Sequence, residues 1–309
     1  MNVQNVATTC SGERRKYTEQ ETTGYVVSAA IGGRTILLTR QKGMEQMKCD
    51  SLGDRMKAYE NVSRVYLPRR LPVIIRIDGR AFHTFTRGFQ KPFDEVLMSA
   101  MQQTAKKLCE EVAGCKLAYV QSDEISLLVT NDDALETQPW FDNNLQKLVS
   151  LTASIATKSF AVCFSHAACA WYDKVSHSDS FDAEQWSTYS GKFMSATFDS
   201  RAFIIPPAEV CNYFIWRQQD AVRNSIQMVA QSMYSHNELQ GKNSSDLQEL
   251  IHAKGVNWND YPVPCKRGAC IVKREEEIDG VMRHKWVIDT EIPTFTKNRA
   301  YVESTFIHE

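Results

Sequence analysis

One segment of the chain reads Ile75-Arg76-Ile77-Asp78-Gly79-Arg80-Ala81-Phe82-His83. Its apolar, β-branched start predicts a buried strand that ends at an aspartate followed by a turn. A second segment, Ala118-Tyr119-Val120-Gln121-Ser122-Asp123-Glu124-Ile125-Ser126, also runs from an apolar strand into an aspartate. We expect the two strands to be neighbours, so that both carboxylates lie at the same edge of one sheet.

The elements predicted around these segments follow the order strand, helix, strand, strand, helix, strand. They cover residues 72–77, 94–112, 117–121, 125–129, 145–168 and 197–205. This order is that of the split βαβ, ferredoxin-like arrangement, whose antiparallel sheet carries helices on one face. The expected fold class is therefore α+β.

The rest of the chain divides into an extension and a C-terminal part. Residues 1–48 are polar and lack a helical or strand period, which predicts an N-terminal extension of disordered character. Residues 49–205 then form the expected domain of sheet and helices. Residues 206–309 add helices at 207–235 and 244–253 and a C-terminal β-hairpin, all expected to pack on that domain.

Composition narrows the class of protein. The 309 residues are 43% hydrophobic, which suffices for a sizeable core, and the net charge of −1 excludes a strongly basic nucleic-acid-binding protein, although not a local basic face. Nine cysteines without a C-x-x-C pair indicate reduced thiols. No segment approaches the ~20 apolar residues of a membrane span, so we expect a soluble, cytoplasmic protein without a membrane partner.

The paired carboxylates are the strongest chemical signal. Asp78 and Asp123 at one strand edge could hold Mg²⁺ against phosphate oxygens, and Gly79 leaves a backbone carbonyl free as a further ligand. The turn that follows could hold a triphosphate through its N–H groups. This pattern predicts phosphoryl or nucleotidyl transfer.

Each motif has an ordinary structural reading when it is taken singly. Asp-Gly is above all a turn dipeptide, and Ser-Asp-Glu is an ordinary tight turn. His83 could act as an acid or base, stack on a nucleobase, or serve only the loop. Arg76 and Lys91 are candidates for phosphate contacts or simple surface charges.

At this level of detail the chain resembles the tRNA-histidine guanylyltransferase family, which includes guanylyltransferase-like 3′-to-5′ RNA polymerases. The resemblance covers residues 50–275. The motifs that carry it are Arg76-Ile77-Asp78-Gly79-Arg80-x-Phe82-His83, Lys91-Pro92-x-Asp94, Gln121-Ser122-Asp123-Glu124, Phe198-Asp199-x-Arg201, Trp216-Arg217-Gln218-x-Asp220, Leu239-Gln240-Gly241 and Arg267-Gly268.

The resemblance implies a polymerase-type palm that adds nucleotides to tRNA 5′ ends with two Mg²⁺ ions and with GTP and ATP as substrates. It implies a homotetramer. The implied metal ligands are Asp78, the Gly79 carbonyl and Asp123, and Lys91 matches a lysine of the activation step. The implied nucleotide-binding residues are Asp78, Gly79, Arg80, Ala81, Phe82, His83, Ser122 and Asp123. Weaker candidates for tRNA or phosphate contact are Arg76, Arg217 and Asn224.

One departure concerns the branch of the family. The eukaryotic branch carries His-Ile-Asn-Asn where this chain has Val222-Arg223-Asn224-Ser225. The missing histidine belongs to the route that adds one guanosine to tRNA-histidine. We therefore expect the guanylyltransferase-like branch, whose members repair 5′-truncated tRNAs by copying the opposite strand.

Two other functions stay open on the sequence alone. The same sheet could bind a nucleotide or tRNA without catalysis. A nucleotide-cyclase-like enzyme would also use two palm carboxylates.

Overall fold

The structure is a computed structural model that describes residues 30–31, 34–35, 51–178, 181–278 and 281–307. Contacts divide the chain into two compact units, Met1–Lys57 and Ala58–Glu309. The first unit contains the antiparallel strands β1 (Ala30–Ile31) and β2 (Arg34–Thr35). Helix α1 (Leu52–Val62) begins in it and ends in the second unit. The rest of the predicted extension 1–48 lies outside the described residues.

The second unit is built on an antiparallel sheet. Its described strands are β3 (Val73–Gly79), β4 (Cys115–Gln121), β5 (Glu124–Val129), β6 (Phe198–Ile204), β7 (Ala269–Ile278) and β8 (Val281–Asp289). Their spatial order is β6-β3-β5-β4-β7-β8, and neighbouring strands are antiparallel throughout. The first four strands have the ferredoxin-like order that the sequence predicts, and the predicted C-terminal hairpin β7–β8 extends the sheet beyond β4.

The helices of the second unit agree with most of the predicted spans. They are α2 (Phe82–Phe85), α3 (Glu95–Glu111), α4 (Leu145–Val175), α5 (Ala183–Ser190), α6 (Pro207–Met233), α7 (His236–Leu239), α8 (Ser244–Ala253), α9 (Val263–Arg267) and α10 (Ala300–Glu303). Side chains fix the starts of the two long core helices. Asp94 accepts a hydrogen bond from the Leu97 N–H, and Asn144 accepts one from the Lys147 N–H.

Helices α3 and α4 cover one face of the sheet, as expected. Val73, Ile75 and Ile77 of β3 face this side and are fully buried. Their partners include the aromatic rings of Phe160 and Phe164 on α4. Burying side chains of this size stabilises the fold by about 1.5–3 kcal/mol each. This layer holds more buried residues than the layer on the opposite face.

Helix α6 covers part of the opposite face. Ile74 of β3 and Leu128 of β5 pack there against Phe214 of α6. The palm therefore carries its two expected helices on one side, and the additional C-terminal helix gives the other side a second, smaller core. Because α6 packs on this sheet and β7 is one of its strands, residues after 206 belong to the same compact unit as the palm.

Helix α4 contradicts the statement, made from the sequence, that no segment approaches the apolar length of a membrane span. It is long and apolar enough, by length and composition alone, to cross a membrane. However, Leu148, Phe160 and Phe164 lie in the first core and are almost completely buried. A helix that packs one apolar side on a sheet in this way is an ordinary core helix.

Candidate active site

Three carboxylates lie side by side at one end of the sheet. Asp78 is near the end of β3, where the antiparallel register places it opposite Glu124 of β5 and Asp199 of β6. Residues directly opposite in neighbouring strands point to the same face. We call Glu124, Asp78 and Asp199 the acid row; it lies on the face that α6 partly covers.

A tight turn brings the second predicted aspartate to this row. Ser122 and Asp123 connect β4 to β5, and Ser122 adopts a left-handed conformation with φ 48°. The Gly79 N–H donates a hydrogen bond to the Asp123 carbonyl oxygen over 3.1 Å. This bond ties the turn to the end of β3, so the residue after Asp78 contacts Asp123 directly.

The electrostatics of the turn favour a cation. Burial and, to a smaller extent, the negative charge of Asp78 raise the pKa of Asp123 to about 6. The two carboxylates are therefore close enough to repel each other in the absence of a counter-charge. Hard oxygen donors with unbalanced negative charge are what Mg²⁺ binds, so the residues present fit this ion.

The loop after Asp78 needs glycine at its first position. A Cβ atom on Gly79 would lie 2.3 Å from the Phe82 ring, too close for any side chain. Phe82 is buried against Phe85, Phe160 and Phe198 and cannot move away easily. The aromatic cluster thus holds the loop backbone close to the carboxylates.

In the rest of that loop, the groups free to bind a ligand are backbone N–H groups at the start of α2. Ala81 is left-handed (φ 54°) and its carbonyl oxygen accepts the first hydrogen bonds of α2, from Thr84 and Phe85. The N–H groups of Phe82 and His83 precede these bonds and have no acceptor within the helix. Arg80 and His83 are exposed, and the His83 ring lies 3.0 Å from the Thr84 hydroxyl.

Comparison with known proteins identifies the family. The family model described as "Thg1: tRNAHis guanylyltransferase" matches residues 53–206. A bacterial tRNA(His) guanylyltransferase (Thg1)-like protein solved in complex with ATP is 47% identical, and the match covers 83% of this chain and 99% of that chain with a TM-score of 0.71. The chain belongs to the tRNA(His) guanylyltransferase family.

More distant relatives carry the same name. The tRNA(His) guanylyltransferase of Schizosaccharomyces pombe is 29% identical over 72% of this chain and 80% of that protein. The probable enzyme of Dictyostelium discoideum is 26% identical over 65% of this chain and 75% of that protein. This member of the tRNA(His) guanylyltransferase family is therefore a nucleotidyltransferase, as the paired carboxylates predict.

In this family member, Arg217, one of the weaker candidates for tRNA or phosphate contact, lies in a buried ion pair. It is only 6% exposed, and its Nε and Nη2 atoms lie 2.7 and 2.9 Å from the two carboxylate oxygens of Glu124. A further bond of 2.9 Å joins it to Asp220. A guanidinium enclosed in this way is not available to tRNA phosphates, so its contribution is to hold Glu124 in place.

The other weaker candidates lie around the site. Asn224 is exposed on α6 and lines a pocket together with Gln121 and Ser122 of the β4–β5 turn. Arg76 lies two residues before Asp78 on the same face. Lys91 is exposed ahead of α3, and within the described residues no ion pair joins it to either aspartate.

Sequence reasoning missed Glu124 and Asp199 of the acid row and also Arg201, which lies 3.6 Å from Asp199. The motifs contained all three, yet no role was assigned to them. The predicted strand order was itself a sufficient signal for Asp199, because it places the start of the last palm strand beside the end of the first. Glu124 gave no such signal, because its partner Arg217 is far away in the sequence.

Proposed function

We propose that this protein adds nucleotides to the 5′ end of tRNA in the 3′-to-5′ direction. The observation that supports this most is the contact between the end of β3 and the β4–β5 turn, which brings Asp78 and Asp123 together. The bacterial relative at 47% identity was solved with ATP, and a second bacterial structure at 45% identity was solved with GTP. We infer that this chain takes both nucleotides.

The proposed metal site consists of the carboxylates of Asp78 and Asp123 and the carbonyl oxygen of Gly79. Within the described residues, no cluster of three or more His, Cys, Asp or Glu side chains could bind a metal. A site with two carboxylates leaves coordination positions for water and phosphate oxygens, which is how Mg²⁺ is commonly bound. Two such ions, when bound, would activate the attacking hydroxyl and neutralise the leaving pyrophosphate.

The protein's own residues position the nucleotide. We infer that the N–H groups of residues 81–83 bind triphosphate oxygens on one side and that Ser122 does so on the other. Phe82 anchors this loop to the core through ring contacts with Phe85 and Phe160. Lys91, which is exposed, is proposed for the activation of the tRNA 5′ phosphate.

We further propose the template-dependent branch of the family, which repairs truncated 5′ ends. Two observations support it: the sequence Val222-Arg223-Asn224-Ser225 replaces the eukaryotic pattern, and identity is higher to the bacterial Thg1-like protein than to the fungal enzyme. On this proposal tRNA is the partner, the protein is a cytoplasmic homotetramer, and residues 49–205 form the catalytic domain.

The test is an extension assay on tRNA that lacks its first nucleotide, with Mg²⁺ and each nucleoside triphosphate in turn. We expect one-nucleotide extension only with the nucleotide that pairs with the opposite strand, and no product from Asp78→Ala. Asp173→Ala, at an exposed carboxylate of α4, is the matched control and should keep full activity.

The same assay separates the alternatives. A gel shift without a longer product would favour binding alone, and a cyclic nucleotide formed without RNA would favour a cyclase-like enzyme. Equal incorporation opposite every template base would contradict the template-dependent branch. Unchanged turnover by Asp78→Ala would refute the metal assignment.

A further inference from the structure

Two arginines lie next to the acid row on the same face of the sheet, one same-face position further from the strand ends. Arg76 of β3 lies directly opposite Arg201 of β6. Arg76 comes two residues before Asp78, and Arg201 comes two residues after Asp199. Since side chains alternate along a strand, both arginines point to the same face as the acids. Facing residues in an antiparallel pair have Cβ atoms about 5 Å apart, so the two guanidinium groups can reach one common ligand.

The fold alone does not explain this pair. Like charges placed directly opposite each other on a sheet are destabilising. The acids nearby compensate only in part. Glu124 is already engaged by Arg217 and lies 3.7 Å from Arg76, and Asp199 lies 3.6 Å from Arg201 on an exposed surface.

Arg76 has a second unusual feature. Its side chain is only 18% exposed, and among the described residues no acceptor lies within hydrogen-bonding distance of its buried Nε. Buried donors normally have a partner, and one that does not calls for an explanation. Arg201 is 52% exposed, so a ligand can approach the pair from solvent.

We propose that Arg76 and Arg201 together form a phosphate-binding site on the catalytic face, next to the acid row. This inference rests on the proposed function and extends it to Arg201. Guanidinium groups bind phosphate through paired N–H donors, and one phosphate between them would remove the repulsion between the two cations. The phosphate belongs either to the RNA backbone beside the reacting 5′ end or to the nucleotide triphosphate.

Three variants at Arg201 test the site without disturbing the core. Arg201→Ala removes one donor group, Arg201→Lys keeps the charge but loses the planar fork, and Arg201→Glu turns the repulsive pair with Arg76 into an attractive one. The control is Lys107→Ala, an exposed cation paired with Glu110 on α3, across the sheet. Thermal melting of each variant reports on folding.

Three probes identify the source of the phosphate. They are tRNA lacking its first nucleotide, ATP with Mg²⁺, and inorganic tripolyphosphate in EDTA, which reports on anion binding without a metal. Binding of the tRNA is measured across a salt series. The tripolyphosphate probe still tests the site if the protein proves not to act on tRNA, so failure of this inference and failure of the proposed function can be distinguished.

We expect Arg201→Ala to weaken binding of tripolyphosphate and of either tRNA or ATP by about tenfold, the size of a charge-assisted bond. A tRNA contact would also lower the slope of log affinity against log salt by about one. Arg201→Glu should bind more weakly still while melting no lower than the parent protein. Unchanged binding of all three probes by Arg201→Ala and Arg201→Glu, or an equal loss in Lys107→Ala, would overturn the proposal.

Discussion

Replacing Arg217 by methionine removes two short hydrogen bonds and the ion pair of a buried carboxylate. Glu124 is 7% exposed and accepts two hydrogen bonds from Arg217. Without them, Glu124 keeps a long hydrogen bond of 3.5 Å from the Ser126 hydroxyl. Among the described residues the cation that remains is Arg76 at 3.7 Å, which is too distant for a hydrogen bond. Breaking a buried pair on one side typically costs about 3–5 kcal/mol, because it leaves an uncompensated charge.

Two further contacts adjust this figure. The Arg217 guanidinium lies 4.4 Å from the centre of the Trp216 ring, a cation–π contact worth about 0.5–1 kcal/mol at such a site. It also bonds to Asp220, which is partly exposed and can return to water at little cost. Since Arg76 still attracts Glu124, we expect a total loss of about 3–4 kcal/mol in the free energy of unfolding at pH 8.

The loss should depend on pH in a defined direction. Burial already raises the pKa of Glu124 although Arg217 lowers it. Without Arg217 that pKa rises further above its unfolded value, so the folded state binds a proton more tightly than the unfolded state. The carboxyl then becomes neutral at lower pH, and the cost of Arg217→Met is smaller at pH 6 than at pH 8.

Urea denaturation at both pH values measures this effect. The double variant Glu124→Gln, Arg217→Met is the control, because it removes both charges and should recover most of the lost stability. A single variant that loses less than about 1 kcal/mol, or loses the same amount at both pH values, would refute the argument. If Arg217→Met bound tRNA more weakly without any loss of stability, the result would instead support the predicted contact between Arg217 and tRNA.

Three other changes have defined outcomes. Asp123→Asn should abolish nucleotide addition yet raise the free energy of unfolding of the metal-free protein at pH 7 by about 1–2 kcal/mol. The reason is that the Asp123 carboxyl, with a pKa of about 6, is destabilised in its charged form by the fold. Thermal melts in EDTA measure this gain, which should disappear below about pH 4. Gly79→Ala should lose about 1–3 kcal/mol and most of its activity, because the new Cβ overlaps the Phe82 ring; Gly53→Ala, where the nearest atom is 3.6 Å away, is the control in urea titrations. Phe82→Ala should cost about 3–5 kcal/mol in the same titrations, and a loss below 1 kcal/mol would mean that the aromatic cluster does not support the loop.

Local patterns were sufficient to predict the palm from the sequence. The strand ending at Asp78, the helix capped by Asp94 and the turn at Ser122 each carry a signal within a few residues. Once the strand order was recognised as ferredoxin-like, the convergence of Asp78 and Asp123 followed from topology. The structure ends β3 at Gly79, whose N–H donates a hydrogen bond to the Asp123 carbonyl oxygen, and the role of the two carboxylates as metal ligands stays a prediction.

The features that were missed depend on contacts between distant parts of the chain. Arg217 and Glu124 are 93 positions apart, and nothing local distinguishes a buried ion pair from two surface charges. The hairpin β7–β8 was predicted, but its place beside β4 depends on which sheet edge is free. Helix α5 was not predicted, because its eight residues have little apolar period.

The pattern within β3 shows why the core and the site share one strand. Its first three residues, 73–75, are buried on both faces, whereas after Ile75 only every second residue is apolar. At this point the contact between β3 and α6 changes from apolar to charged: Phe214 packs with Ile74, and one helical turn later Arg217 binds Glu124 of the acid row. A register shift of one residue would turn Arg76 and Asp78 into the core beneath α3 and α4, where neither charge has a partner. The apolar packing that stabilises the fold therefore also fixes the direction in which Asp78 points.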